Sequence, residues 1–138
     1  MKWTKLNEMA VLPTRATTGS AGYDIYANET VRLLPNECKI VKTGISFIDL
    51  ETTQYIQMSL RSSISIKRPF IMPNSPAIID SDYEGNEIGI ILWNRGNVPA
   101  VVDQGEKIAQ CIILSFNVVD DEKTVKRKRV SGFGSTDS

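Results

Sequence analysis

The chain contains no histidine, and that absence narrows its chemistry. Imidazole is the side chain whose ordinary pKa suits proton transfer near neutrality, so a general base here must be another group, with a carboxylate the first candidate. Cysteine is scarce too: Cys38 and Cys111 stand far apart, outside any CxxC spacing, and no histidine is present to complete a zinc site. Both are expected to be reduced core or near-core thiols rather than a disulfide. No apolar run approaches the roughly 20 residues that cross a bilayer, and Met1 to Glu8 lacks the continuous apolar stretch of a secretory signal. A chain without membrane attachment and with a cytoplasmic location is the default expectation. Excess charge is also missing, since 16 Lys and Arg balance 16 Asp and Glu. No global field would gather nucleic acid or an anionic membrane, and any phosphate chemistry must depend on local placement of cations. The basic run from Lys123 to Arg129 lies beside Asp120, Asp121 and Glu122, which partly cancel it. It reads as a solvated face rather than a nucleic-acid patch.

What is present is an ordinary globular composition, 41% hydrophobic and 23% charged over 138 residues, enough for one domain with a real core. Short β-type runs follow one another between turn residues: Val31 to Leu34, Cys38 to Lys42, Ile45 to Ile48, Tyr55 to Leu60, Glu87 to Trp93, Val98 to Val102 and Lys107 to Phe116. Period-two alternation dominates and no long 3.6-residue stripe appears, which predicts an all-β sandwich or barrel with jelly-roll-like closure. A short helical turn is allowed after Arg61-Ser62-Ser63. Near Asp120 the apolar alternation gives way to charge and then to Ser, Gly and Thr. Residues 1–119 therefore read as a β-rich core and 120–138 as a flexible C-terminal arm. Phe133 between Gly132 and Gly134 is out of place in a solvated tail, because an aromatic ring there calls for something to cover.

The most informative stretch is Asn74-Ser-Pro-Ala-Ile-Ile-Asp80-Ser-Asp-Tyr83-Glu-Gly85. It reads as a hairpin displaying one acid and one aromatic ring on a rigid support. Asp80 alone could be a turn residue bonding its own backbone, Tyr83 could fill core, and Asn74 could serve a turn. Their spacing, in a chain without histidine, favours a general base beside a nucleotide-shaped partner. Four further pieces follow in order: Ala21-Gly-Tyr-Asp24-Ile-Tyr-Ala27, Arg61-Ser-Ser63, Gly105-Glu-Lys-Ile-Ala-Gln110 and Gly132-Phe-Gly-Ser-Thr136, with Trp93-Asn-Arg-Gly96 between them. Together these closely resemble the ordered motifs of the trimeric deoxyuridine triphosphatases (dUTPases), and the match runs over essentially the whole chain.

The resemblance implies a β-clip, jelly-roll-like dUTPase fold and a homotrimer with active sites shared between subunits. It implies a dUTP diphosphatase, in which Asp80 activates water against the α-phosphorus of dUTP to release dUMP and pyrophosphate. Asn74 and the backbone of Ile78 and Ile79 would read uracil, and the Tyr83 ring would leave no room for a ribose 2′-hydroxyl. Arg61, Ser62, Ser63 and Gln110 would hold phosphate or the attacking water. Asp24 would sit near Mg²⁺ and act on it through water, as suits a small hard cation that keeps its hydration. In the arm, Phe133 would stack on uracil, while Gly134, Ser135 and Thr136 would wrap the γ-phosphate.

The arm departs from the family pattern. The family usually has Arg-Gly shortly before Gly-Phe-Gly, whereas this chain reads Lys126-Arg-Lys-Arg129-Val-Ser-Gly132. Arg129 is taken as the phosphate-contacting arginine, with Arg127 and Lys128 as alternatives. Asp137 also replaces a common glycine and brings an acid toward the phosphates. Two other functions fit parts of the pattern: a dCTP deaminase-like enzyme on a related fold, and a dUTP-gated regulatory binding protein using the same pocket.

Overall fold

A computed structural model describes residues 1–123 and residue 129. Eleven strands, one short α-helix and one 3-10 turn are the regular elements among the described residues. A four-stranded sheet has the order β2-β11-β6-β8, from Tyr23–Tyr26, Lys107–Ser115, Gln54–Leu60 and Ala77–Asp80. A three-stranded sheet is ordered β4-β9-β7, from Cys38–Lys42, Gly89–Asn94 and Phe70–Ile71. Two ribbons complete the fold: β1 (Lys2–Lys5) with β5 (Ile45–Ile48), and β10 (Ala100–Val102) with β3 (Val31–Leu33). Every strand pairing is antiparallel.

Alternation decides which side chains enter the core. On β6, Ile56 and Met58 point inward and are buried, while Tyr55, Gln57 and Ser59 lie between them on the other face. On β9, Ile90, Leu92 and Asn94 are buried by the same rule. Inner faces of both sheets and the β5 ribbon meet in one apolar cluster that includes Phe47, Ile56, Ile90, Leu92 and Ile108. Each such side chain contributes about 1.5–3 kcal/mol by leaving water. Like Thr43 and Ser46, Asn94 is a polar residue in this core. Its amide donates to the carbonyls of Leu33 (3.0 Å) and Val98 (2.9 Å), and its Oδ1 accepts from the Gly96 amide at 2.9 Å. The Trp93-Asn-Arg-Gly96 piece is thus a structural pin, tying β9 to β3 and to the following loop.

The seven predicted runs all appear as strands, and the allowed turn after Arg61 is helix α1, Ser62–Lys67. Two expectations change. The segment around Asp80 is not a hairpin with the strand that follows: β8 pairs with β6, whereas β9 belongs to the other sheet. A 3-10 turn over Ser81–Tyr83 and Gly85 at φ +84° carry the chain across. The Gly85 amide donates to Phe47 (3.3 Å) and the Ile88 amide to Ile45 (2.9 Å), so the linker bonds to β5 instead of folding back on β8. Second, Cys38 is not a core or near-core thiol. It is exposed on the edge strand β4, and only Cys111 is buried. No helix among the described residues is long and apolar enough to cross a membrane.

Candidate active site

β8 is an edge strand, so its outer side is not paired with any strand among the described residues and its backbone donors and acceptors there remain for a ligand. A cleft of about 250 Å³ opens beside it, lined by Asn74, Ile78, Ile79, Asp80, Tyr83 and Arg129 among others. Ile79 packs toward the core, whereas Ile78 is 56% exposed. The Asn74 side chain makes no hydrogen bond among the described residues, which leaves an acceptor and two donors facing outward. Tyr83 is held at both ends. Its ring packs against the core and its hydroxyl donates to the Glu87 carbonyl at 2.6 Å. Burial raises its phenol pKa above the ordinary value, opposed by the nearby Arg129 charge. The ring is a rigid wall rather than an acid.

Asp80 ends β8 opposite Tyr55 of β6, and its side chain is 55% exposed. Arg129 reaches into the cleft beside it. Its Nε donates to Asp82 Oδ1 at 2.8 Å, a second guanidinium nitrogen bonds Asp80 Oδ2, and its carbon lies 5.7 Å from the Tyr83 ring centre. The Asp82 hydrogen bond is the main cause that holds the guanidinium above its ordinary pKa, against the opposing effect of burial. Asp82 is therefore a second carboxylate for this arginine.

The other predicted polar residues gather elsewhere on the same sheet. Asp24 on β2 stands opposite Gln110 on β11, which stands opposite Ser59 on β6. Only 13% of the Asp24 side chain is exposed; Oδ1 lies 3.2 Å from Arg61 Nε and Oδ2 lies 3.7 Å from Lys107 Nζ. Arg61 follows β6 directly, and its amide extends the ladder to the Ile108 carbonyl at 3.2 Å. Ser62 opens α1, and Ser63 lines an open recess with Arg61, Lys67 and Lys107. Gln110 owes its position to Gly22: a β-carbon there would come within 2.8 Å of Gln110 Oε1. Sequence reading gave Gly22 no role, because a contact between strands leaves no mark in spacing.

These two groups do not meet within one chain. From Tyr55, opposite Asp80, to Arg61 is six residues of extended strand, about 20 Å at roughly 3.3 Å each. Phe133, Gly134, Ser135 and Thr136, with the alternatives Arg127 and Lys128, lie outside the described residues.

A dUTPase family model matches residues 8–137 of this sequence. The chain belongs to the dUTPase family. It is 37% identical to the deoxyuridine 5'-triphosphate nucleotidohydrolase of Trichodesmium erythraeum (strain IMS101), over 99% of this chain and 97% of the relative. It is 39% identical to that of Clostridioides difficile, over 99% and 96%. The predominantly β architecture also matches solved family structures. The Streptococcus mutans dUTPase superposes with a TM-score of 0.82 at 24% identity, covering 87% of this chain and 99% of that one. A mutant dUTPase from phage phi11 of S. aureus, described with a structural Mg(II) ion, superposes with a TM-score of 0.79 at 24% identity, covering 94% and 98%.

Proposed function

We propose that this dUTPase-family chain hydrolyses dUTP to dUMP and pyrophosphate, with Asp80 as the general base. The observation that carries this reading is an exposed carboxylate at the end of an unpaired strand edge, beside an uncommitted amide and a fixed aromatic ring. Asn74 and the β8 backbone at Ile78 and Ile79 take the uracil edge. The tethered Tyr83 ring lies under the deoxyribose and rejects UTP by shape. Asp80 accepts a proton as water attacks the α-phosphorus; the new P–O bond forms as the bond to the β-phosphate bridging oxygen breaks, and pyrophosphate leaves. General-base assistance of this kind is worth about 10² to 10⁴ in rate.

Arg61, Ser62, Ser63 and Gln110 hold the phosphates. Since Arg61 stands about 20 Å along β6 from Asp80, and Gln110, opposite Ser59, about 13 Å, the complete site joins two copies of the chain, which supports a homotrimer with shared sites. The arm, residues 120–138, supplies Phe133 against the base and Gly134, Ser135 and Thr136 around the γ-phosphate. Arg129 must leave Asp80 and Asp82 to contact phosphate, so its pairing in the free chain competes with the nucleotide.

Mg²⁺ fits this chain as a hydrated ion carried by the triphosphate. No group of three or more His, Cys, Asp and Glu that could hold a metal occurs among the described residues. Both oxygens of Asp24 face cations, so direct ligation would have to displace Arg61 and Lys107. Asp24 would therefore hold the ion through water. The ion, when bound, neutralises charge on the phosphates. A cytoplasmic setting completes the reading.

The test is pyrophosphate release with Mg²⁺ from dUTP, UTP, dTTP and dCTP, by wild type and Asp80→Asn. Hydrolysis confined to dUTP and lost in the variant is expected. Tight dUTP binding without turnover would replace the enzyme with a regulatory binding protein, and ammonia from dCTP would replace it with a deaminase.

A further inference from the structure

We infer that Lys107 is an additional ligand of the phosphate chain, aimed at it by a β-bulge and held beside Arg61 by Asp24. This rests on the reading of the Arg61 and Gln110 cluster as the phosphate side of the site. The β2–β11 register runs Asp24 to Gln110 and Ile25 to Ala109, then jumps to Tyr26 opposite Lys107. One residue on β2 is matched by two on β11. Regular alternation from Gln110, which faces outward, would turn Lys107 toward the core. The bulge instead buries Ile108 and Ala109 in succession, both 0% exposed, and brings Lys107 to the face of Asp24 and Gln110. Bulges re-aim side chains in this way beside binding sites.

The lysine is held there by charge rather than by a hydrogen bond. Its Nζ is 3.7 Å from Asp24 Oδ2 and 5.8 Å from the Tyr26 ring centre, and its side chain is 43% exposed. At 3.7 Å the contact is too long for a hydrogen bond, so the ammonium donors are left for another acceptor. Asp24 does not depend on Lys107 for a partner, since Arg61 already lies at 3.2 Å. The Lys107 carbonyl accepts from Arg61 at 3.4 Å, which fixes the two cations side by side. They share an open recess of about 400 Å³ with Lys67 and Arg68, and its one carboxylate, Glu106, is bonded to Arg68. A polyanion entering the recess meets several cations and no unengaged acid. Asp24 is a positioning residue for both Arg61 and Lys107.

The experiment compares wild type, Lys107→Met, Lys107→Gln and Lys107→Arg as folded trimers of matched melting temperature. Binding of inorganic tripolyphosphate and of deoxyuridine is measured by calorimetry, and KM and kcat with dUTP. Both neutral variants should weaken tripolyphosphate and raise KM by roughly tenfold or more, with a shallower salt dependence. Deoxyuridine binding should stay unchanged, and Lys107→Arg should recover most of the loss. Tripolyphosphate affinity and KM within twofold of wild type in both folded neutral variants would overturn the assignment. Should wild type bind tripolyphosphate at Lys107 yet turn over no dUTP, the diphosphatase reading fails while this inference stands.

Discussion

Two aspartate–arginine pairs divide this molecule, and they are built in opposite senses. At Asp24 and Arg61 the acid is the covered member, 13% exposed against 33% for the arginine. At Asp80 and Arg129 the arginine is covered, 11% exposed, and the acid is open at 55%. A covered carboxylate facing two cations is a structural anchor, because removing it would leave two like charges close together with no counter-charge between them. An open carboxylate at a strand end is available to water and ligand. On the proposed function, the same residue pair would support phosphate-binding cations at one end of β6 and give the base Asp80 a releasable partner at the other.

Asp80→Asn should have the largest effect. An amide keeps the shape but accepts no proton, so kcat should fall by about 10² to 10⁴ while dUTP still binds; single-turnover kinetics with a binding isotherm separates the two. Asp24→Asn should act on the other side. With the anchor charge gone, Arg61 and Lys107 repel, and kcat/KM should fall by roughly 10- to 100-fold, mostly through KM. If kcat alone fell, Asp24 would belong with the reacting groups and the contrast would be wrong. Gly22→Ala sharpens the point without touching a charge. Its β-carbon would sit 2.8 Å from Gln110 Oε1, so Gln110 must move. A rise in KM of several-fold, about 1 kcal/mol, should appear in steady-state kinetics with deoxyuridine binding unchanged.

Much of this was legible from the chain. The strands show because alternation marks any sheet with one wet face, and Ile56 and Met58 between Tyr55, Gln57 and Ser59 illustrate it. Asp80, Tyr83 and Asn74 could be grouped because they lie close in sequence and share one cleft. What escaped depends on long-range pairing. Whether β8 joins β6 or β9 is decided by amide bonds from Gly85 and Ile88 to β5, which local pattern does not encode. The roles of Gly22 and Lys107 follow from cross-strand register and a bulge, and the exposure of Cys38 from an edge strand.

The smallest expected effect also separates two like residues. Burial pushes the Cys111 thiol from 9.0 up to about 12, whereas Cys38 is exposed. In the native protein a thiol reagent at pH 8 should label Cys38 and spare Cys111 until unfolding. A raised thiol pKa means the folded state holds its proton longer than the unfolded one. Stability from this group is thus complete below about pH 9 and declines between 9 and 12, by at most about 1.4 kcal/mol per unit. Denaturant melts against pH, with Cys111→Ala as reference, would register that slope.

On the proposed function, Asp80 and Arg61 of different copies complete one site. Asp80→Asn and Arg61→Ala chains, each nearly inactive alone, should be mixed and refolded together, with hetero-trimers verified by native mass spectrometry. Recovery of a substantial fraction of wild-type dUTP hydrolysis in the mixture is the predicted result. Hetero-trimers that form and remain as inactive as their parents would contradict it.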